Sequence, residues 1–286
     1  MSRQKFCFAT LAMGQEYSAL AALLAKDIAQ FSPESCLVVL TDRPDDFNLH
    51  LNVLAFYHWQ QSLNCHQDKV YVIREALSLF DSCMFLEADM RILAPFQPDE
   101  DWRPGIMAKS CSSISKDFAA PIKNAHQAQR KFSVLQKAAR KLNLDLQDEG
   151  IKLVHEFLFV VTKDAGKEAN FLTLWEQLGR FFELNGLFDE GYAIGLAAAK
   201  AGLAIQDYRM ENLKFFKKEV EQVKIEEGQA DACQTLAYFE TCNLPTPTDR
   251  SFLYKVLDWL HKYRQLINRA IRLRIASLKN FNFYYR

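Results

Sequence analysis

Short apolar runs alternate with amphipathic helical patterns along the first ninety residues, and this alternation restricts the fold more than any other feature. The run Cys36–Thr41 is apolar up to its last residue, as a strand buried on both faces should be. Similar runs occupy residues 5–13, 52–57 and 83–86, and helical patterns occupy residues 17–31 and 68–80. This order predicts a doubly wound α/β fold, in which a mostly parallel sheet is flanked by helices.

The α/β pattern returns after a less regular middle region. Residues 151–162 predict a strand or a strand pair, helical patterns follow at residues 166–184 and 192–201, and residues 203–208 predict a late strand. Since α/β units of this size often form a single domain, we expect one catalytic domain over residues 1–250. Residues 251–286 then form a helical C-terminal extension.

The composition is that of an ordinary globular protein, with 49% hydrophobic and 24% charged residues. The seven cysteines are odd in number and contain no Cys-x-x-Cys pair, which favours reduced thiols in a cytosolic protein over a disulfide framework. The sequence shows no apolar leader after its first residues and no apolar span of 18 residues. We therefore expect a cytoplasmic protein.

Two acidic residues, Glu87 and Asp89, stand two positions apart where the apolar run at 83–86 ends. In extended backbone, such residues project to the same side about 7 Å apart, so one carboxylate can ligate a hard divalent ion while the other holds a water on it. A divalent ion there would neutralise the charge of a departing nucleoside diphosphate. Because ligands of doubly wound sheets bind at the carboxyl ends of the strands, the pair predicts a Mn²⁺ or Mg²⁺ site.

The segment from Phe85 to Ile92, FLEADMRI, resembles the D-x-D segment of GT-A type glycosyltransferases. Glu87 stands where the family has its first Asp, and Asp89 matches the position that usually binds the metal. The resemblance covers residues 5–95 well and residues 150–208 loosely, and it implies a GT-A-like fold. It also implies metal-dependent transfer of a sugar from a nucleotide-sugar donor, UDP-linked, to the hydroxyl of a glycan or lipid-linked acceptor.

The same resemblance implies a set of donor-binding residues. Residues 9–17, ATLAMGQEY, are similar to the first strand and turn of these enzymes, which hold the nucleoside. The implied nucleotide-sugar-binding residues are Thr10, Leu11, Tyr17, Asp42, Lys69, Arg74 and Ala88. Ordinary structural roles are the alternative: Tyr17 could belong to the core, Asp42 could cap a turn, and Arg74 could form a surface ion pair.

Two later segments are assigned to the acceptor side by the resemblance. Asp189 and Glu190 match the late acidic segment of the family, where a catalytic carboxylate deprotonates or orients the acceptor hydroxyl. The alternative is an N-cap at Asp189 and a favourable charge of Glu190 at the positive helix end. His155 and Glu156 correspond by order to the strand that faces the sugar and the acceptor, although a lone His in an apolar strand is more often a core residue.

The C-terminal extension is basic, with eight Lys or Arg against one acidic residue in a chain of zero net charge. An apolar stripe follows its helical pattern and consists of Phe252, Val256, Trp259, Leu260, Tyr263 and Ile267, with Arg264, Arg269, Arg272 and Arg274 beside its continuation. Such a helix can lie on an anionic membrane, which predicts peripheral attachment at the inner membrane face. The alternative is a helix packed on the catalytic domain. No nucleic-acid partner is expected, because the rest of the chain is acidic and the extension has no known nucleic-acid motif.

Two other functions fit parts of the sequence. A nucleotidyltransferase shares this sheet architecture but usually needs a Gly-rich basic loop after the first strand, and Ala12-Met13-Gly14-Gln15 has one glycine and no basic residue. A non-catalytic module that binds a sugar nucleotide or a membrane is favoured by the Glu at position 87. Release of UDP from a sugar nucleotide would distinguish the three functions.

Overall fold

A computed structural model gives the structure of the protein and describes residues 5–98, 102–119, 125–226, 228–229 and 252–286. With strands numbered in chain order, the central sheet contains β1 (Phe6–Ala12), β2 (Cys36–Thr41), β3 (Val53–Tyr57), β4 (Ser82–Leu86), β6 (Gly105–Ala108), β9 (Leu158–Thr162) and β10 (Ile205–Asp207). Two small antiparallel sheets contain β5 (Arg91–Ile92) with β11 (Phe215–Phe216), and β7 (Cys111–Ser113) with β8 (Lys152–Val154).

Helices cover both faces of the central sheet. They are α1 (Gly14–Phe31), α2 (Lys69–Leu79), α3 (Ile114–Ala119), α4 (Ala125–Leu142), α5 (Lys167–Leu184), α6 (Glu190–Ala201), α7 (Lys218–Glu226), α8 (Phe252–Leu278) and α9 (Phe281–Tyr285). Side chains alternate across β1, so that Cys7 and Ala9 join a core with α2, α5 and α6, whereas Phe8 joins a second core with α1. The predicted α/β class, with a mostly parallel sheet between helices, is confirmed.

The strand order of the central sheet is β10-β6-β9-β4-β1-β2-β3. Every neighbouring pair is parallel except the two pairs that β9 makes with β4 and β6. From β1 the chain moves outward to β2 and β3, and α2 then returns it to β4 on the opposite side of β1. The order reverses between β1 and β4, and a crevice at the carboxyl ends of two such strands is where doubly wound sheets bind ligands.

Residues 151–162 form two strands that belong to different sheets. β8 pairs with β7, while β9 lies between β4 and β6 in the central sheet. His155 and Glu156 lie in the connection, where the backbone N–H of His155 donates to Ser110 O at 3.0 Å. The predicted strand pair is therefore confirmed, but His155 and Glu156 lie between its strands and not in the strand to which the resemblance assigned them, because the chain leaves one sheet and enters another at these residues.

Two glycines let α6 pack against the backbone of β8. A Cβ added at Gly195 would stand 1.7 Å from Lys152 O, and one at Gly191 would stand 2.2 Å from Val154 O. Both distances are far below van der Waals contact, so only glycine permits this approach. The first turn of α6 is thereby fixed next to the connection between β8 and β9.

The helix α8 packs on the rest of the protein through its second half. Leu273 and Ser277 are buried, and Tyr284 of α9 is buried beside them. Arg269 and Arg272 face the body of the protein, and therefore do not belong to the membrane-facing side on which the sequence placed them. The side chains of residues 252–258, including Phe252 and Val256, lie outside the described residues. None of the helices within the described ranges combines the length and apolar character needed to cross a membrane.

Candidate functional site

A crevice of about 440 Å³ that contains charged side chains opens at the carboxyl ends of β1 and β4. Its walls come from β1 and α1, from the start of α2, from the segment after β4, from the β8–β9 connection and from the residue after β11. The lining residues are Leu11, Met13, Tyr17, Cys65, His66, Lys69, Phe85, Glu87, Ala88, Asp89, His155, Glu156, Phe157 and Lys217. The crevice therefore contains both residues of the predicted metal pair and most of the implied donor site.

Lys69 pairs with two acidic side chains, those of Glu87 and Glu190, and lies near a third, that of Glu156. Its Nζ lies 2.8 Å from Glu87 Oε1 and 2.7 Å from Glu190 Oε1, and the side chains of Lys69 and Glu190 are only 3% and 5% exposed. Burial alone would lower the pKa of Lys69, but the charges of Glu190, Glu87 and Glu156 raise it to about 12. Lys69 is therefore a charged ammonium group at the base of the crevice.

A second lysine, Lys217, lies between the two residues of the acidic pair. It contacts Glu87 Oε2, and its Nζ is 3.2 Å and 3.3 Å from the two carboxylate oxygens of Asp89. Burial raises the pKa of Glu87, but the charges of Lys69 and Lys217 outweigh burial and lower it to about 2. Both oxygens of Glu87 are thus engaged, one by each lysine.

Sequence analysis did not find Lys217. It follows β11, and the antiparallel pairing of Phe216 with Arg91 places it beside Asp89. A strand of two residues has no periodicity that a sequence could reveal, and its partner lies more than a hundred residues earlier in the chain. The only signal in the sequence is a lysine directly after two phenylalanines.

An ion pair holds the acidic segment in place. Arg91 donates from Nε to Asp27 Oδ2 at 2.6 Å and from Nη2 to Asp27 Oδ1 at 2.7 Å. The backbone N–H of Ile92 donates to the same carboxylate at 3.1 Å. Asp27 is buried on α1, and Met90, which directly precedes Arg91, is fully buried. A two-point contact of this kind fixes orientation, so the backbone around Asp89 is firmly positioned.

The carboxylates suit a hard ion that arrives together with a diphosphate. Within the described ranges, no group of three or more His, Cys, Asp or Glu is arranged to hold a metal ion. Proteins usually bind Mg²⁺ through one or two carboxylates together with substrate phosphates. Asp89, whose side chain is 33% exposed, can supply such a ligand once Lys217 moves to a phosphate. Glu87, held by Lys69, is placed to act through a water.

Glu156 is a carboxylate of the crevice that can accept a proton near neutral pH. Burial raises its pKa, and the nearby charge of Glu190 raises it further, to about 7, although Lys69 acts in the opposite direction. The two carboxyl groups interact directly, because a hydrogen bond between them adds to the shift. A carboxylate with such a pKa meets the requirement for a general base.

The structure brings Leu11, Tyr17, Ala88 and His155 into the crevice wall, as the sequence implied. Thr10 is fully buried within β1 and is not part of the wall. A strand alternates its side chains between the two faces of the sheet, so Thr10 and Leu11 point in opposite directions. Leu11 is therefore the residue of this pair that can touch a ligand.

Three other predicted residues lie outside the crevice. Arg74 is 2.7 Å from Glu176 of α5, because the second turn of α2 faces that helix. Asp189 is 2.7 Å from Lys131 and lines a separate cavity of about 510 Å³. Asp42 accepts a hydrogen bond from the N–H of Gly14 at 2.8 Å and lines a neighbouring groove. Of the predicted catalytic pair, only Glu190 contacts a crevice residue, Lys69, since adjacent residues at a helix start point in different directions.

The neighbouring groove lies between the carboxyl ends of β2 and β3 and the helix α8. Its volume is about 780 Å³, and Met13 lines both the groove and the crevice. Its other lining residues are Gly14, Asp42, Tyr57, His58, Trp59, Gln60, Trp259, Lys262, Tyr263, Gln265, Leu266, Asn268, Arg269 and Arg272. The spacing of Arg269 and Arg272 places them on one side of a helix, but no pattern in the sequence indicates which surface that side meets.

No protein-family model matches the chain, and no curated protein matches it in sequence. Fold and site together define the class of this protein as an α/β protein with a charged crevice at the strand-order reversal of its sheet.

Proposed function

We propose that the protein is a GT-A type glycosyltransferase that moves a sugar from a nucleotide-sugar donor, UDP-linked, to an acceptor hydroxyl. The observation that carries the proposal is the position of Glu87 and Asp89. They follow β4 at the point where the strand order reverses, within a crevice that also contains two lysines. Carboxylates and ammonium groups together suit a diphosphate that binds with a divalent ion.

Different residues of the crevice would bind the metal ion and stabilise the diphosphate leaving group. Asp89 would hold Mn²⁺ or Mg²⁺, which neutralises phosphate charge when bound. Lys217 would move from Asp89 to the diphosphate, and Lys69 would keep Glu87 ionised and in place. Because the diphosphate leaves with the electrons of the bond to the anomeric carbon, added positive charge favours its departure.

Glu156 would act on the acceptor. The acceptor oxygen forms a bond to the anomeric carbon and gives its proton to the carboxylate of Glu156, while the bond from that carbon to the diphosphate breaks. The pKa of Glu156, raised by burial and by Glu190, keeps a basic form available near neutral pH. Glu190 is thus a positioning residue, which differs from the catalytic role that the resemblance implied for it.

The decisive experiment measures UDP release from a panel of UDP-sugars with Mn²⁺, Mg²⁺ or excess chelator. Chelation should abolish turnover and Mn²⁺ should restore it. Asp89→Asn should lose metal-dependent UDP binding more completely than Glu87→Gln, because Asp89 is the direct ligand. Asp45→Asn, which alters an exposed carboxylate outside the crevice, is the matched control.

Three outcomes would contradict the proposal. Full turnover in excess chelator would show that the reaction needs no divalent metal ion. Release of pyrophosphate from a nucleoside triphosphate and a sugar phosphate would indicate a nucleotidyltransferase. Tight UDP binding without any turnover would indicate a non-catalytic module.

We also infer that the exposed face of α8 contacts an anionic membrane. Five apolar side chains lie on the side opposite the body and are each 43–58% exposed: Leu260, Ile267, Ile271, Ile275 and Leu278. Arg274 and Lys279, both exposed, provide charge complementary to anionic lipid. An apolar face with basic residues beside it is typical of helices that lie in the membrane interface.

Co-sedimentation with neutral and anionic vesicles tests this contact. The protein should bind anionic vesicles at low salt, and Ile271→Asp should weaken binding by about tenfold, because it places a charge in the apolar interface. Leu51→Asp, at a fully exposed leucine elsewhere on the surface, is the control. Equal binding of Ile271→Asp and wild type would contradict the inference.

A further inference from the structure

Two arginines of α8 enter the groove without an acidic partner. Arg269 makes no ion pair or hydrogen bond within the part of the chain that the structure describes, and its Nε is buried. Arg272 donates to Gln60 O at 3.3 Å and stacks 5.1 Å from the ring centre of Trp59, but it forms no ion pair there either. Two positive charges therefore share a partly buried surface.

The acidic residues that act on Arg269, Asp68 and Glu183, are already engaged by other groups, and Asp42 in the groove accepts from the N–H of Gly14. Asp68 accepts hydrogen bonds from the N–H groups of Gln61 at 2.7 Å and Ser62 at 2.9 Å, and it lies 2.8 Å from His58 Nε2. Glu183 accepts from the N–H of Asn64 at 2.9 Å. Burial lowers the pKa of Arg269, and the charge of Arg272 lowers it further, although Cys65, Asp68 and Glu183 act in the opposite direction without restoring it. The positive charge of the two arginines is therefore only partly compensated within the described residues.

A partly buried cation without a counter-charge is costly unless a ligand provides the charge. Guanidinium groups bind phosphate well, because their planar donors match phosphate oxygens in pairs. The groove also has exposed aromatic rings: Tyr57, Trp59, Trp259 and Tyr263 are between 52% and 64% exposed. Phosphate-binding groups beside aromatic rings suit a ligand that contains both phosphate and a planar base.

The groove is joined to the crevice at two points. Met13 lines both, and Cys65, which lines the crevice beside Lys69, is close enough to Arg269 for each to affect the pKa of the other. A ligand can therefore extend from the acidic pair to the arginines without leaving the protein surface.

We propose that Arg269 and Arg272 bind the diphosphate of the donor nucleotide, so that the C-terminal helix α8 is one wall of the donor site. The inference rests on the proposed function, since it assigns these arginines to the same substrate. It gives α8 two roles on opposite sides, one toward the nucleotide and one toward the membrane.

The test is calorimetric titration of the full-length protein with UDP, uridine and inorganic pyrophosphate in the absence of lipid. Arg269→Gln should weaken UDP and pyrophosphate binding by about tenfold or more, because a charged hydrogen bond is lost. Uridine affinity should change less than twofold, since uridine has no phosphate. Arg269→Lys should recover part of the loss.

Arg264→Gln removes the same charge from an exposed position of the same helix and should change UDP affinity less than twofold. Melting temperatures show whether each variant is folded. Equal UDP and pyrophosphate affinity in wild type, Arg269→Gln and Arg272→Gln would overturn the inference, even if the protein transfers sugar. If pyrophosphate binding depends on Arg269 but no UDP-sugar is turned over, the anion site stands and the proposed function fails.

Discussion

The crevice and the groove are adjacent and both are charged, but they differ in how their charges are compensated. In the crevice, Lys69 and Lys217 pair with Glu87, Asp89 and Glu190 at distances near 3 Å. In the groove, Arg269 and Arg272 have no carboxylate partner among the described residues. Removal of one partner from the paired network should therefore cost stability, whereas the unpaired arginines can be removed at little cost and offer their charge to an anionic ligand.

The largest effect should follow loss of the proposed base in the crevice. Glu156→Gln should lower sugar transfer by about a hundredfold to ten-thousandfold, the range for removal of a general base, while UDP affinity stays near wild type. The wild-type rate should rise with pH through about 7, because only ionised Glu156 accepts the proton. Transfer assays and UDP titrations of the wild type and the variant measure the first two expectations, and a pH–rate profile of the wild type measures the third.

Asp189→Asn is the comparison variant, because Asp189 lies in the separate cavity beside Lys131. If Asp189→Asn abolishes transfer while Glu156→Gln does not, the assignment taken from the family resemblance is right and the one based on crevice geometry is wrong.

The next effect concerns stability. Lys69→Met should destabilise the protein by about 3–5 kcal/mol, because it leaves Glu190 buried without its counter-charge and removes one of the two lysines that hold Glu87. Arg74 lies on the same helix, but its side chain is 40% exposed and its ion pair with Glu176 is at the surface. Arg74→Met should therefore cost less than about 1 kcal/mol. Urea unfolding at pH 7 compares them. Similar losses would mean that the crevice charges are solvated and do not form a closed network.

A smaller effect should appear in the dependence of stability on pH. Glu87 has its pKa lowered from 4.5 to about 2, so the stability that it provides is present above 4.5 and is lost as pH falls through 2. The contribution at neutral pH is about 3 kcal/mol before the solvent exposure of Glu87 reduces it. Glu87→Gln should therefore flatten the acid side of the stability curve, as followed by urea unfolding from pH 6 to pH 2. An unchanged slope in the variant would contradict the pairing with the two lysines.

The smallest effect is expected in the groove. Arg269→Met should leave the free energy of unfolding unchanged or raise it by less than about 1 kcal/mol, because it removes repulsion from Arg272 and breaks no ion pair. Added pyrophosphate should raise the melting temperature of the wild type more than that of the variant. A large loss of stability in Arg269→Met would place this side chain among the structural residues.

The fold could be predicted because its signals are local. Apolar runs such as Cys36–Thr41 and the helical period of residues 68–80 are short-range patterns, and the structure places β2 at Cys36–Thr41 and α2 at Lys69–Leu79. Glu87 and Asp89 could be placed at a ligand-binding edge for a related reason, because they follow β4 and ligands bind at the carboxyl ends of such strands. The family resemblance assigns Lys69 to the same region.

The remaining parts of the site depend on contacts between distant segments. Lys217 reaches Asp89 through a pairing of two-residue strands, and Arg269 reaches the groove because α8 packs on the body of the protein. The direction in which a side chain points at the start of a helix could not be predicted from the sequence either. Asp189 and Glu190 are neighbours in sequence, yet one faces Lys131 and the other Lys69.

The glycine contact between α6 and β8 has a consequence for the chemistry of Glu156 and Glu190. These two carboxyl groups sit on the two pieces of backbone that Gly191 and Gly195 bring together. Because the two backbones are in contact, rearrangement of other side chains cannot separate them, so the strength with which Glu156 holds its proton depends in part on the positions of main-chain atoms. The acidity of the proposed base is thus a property of how closely a helix approaches a strand, and a single methyl group at Gly195 would alter it from outside the crevice.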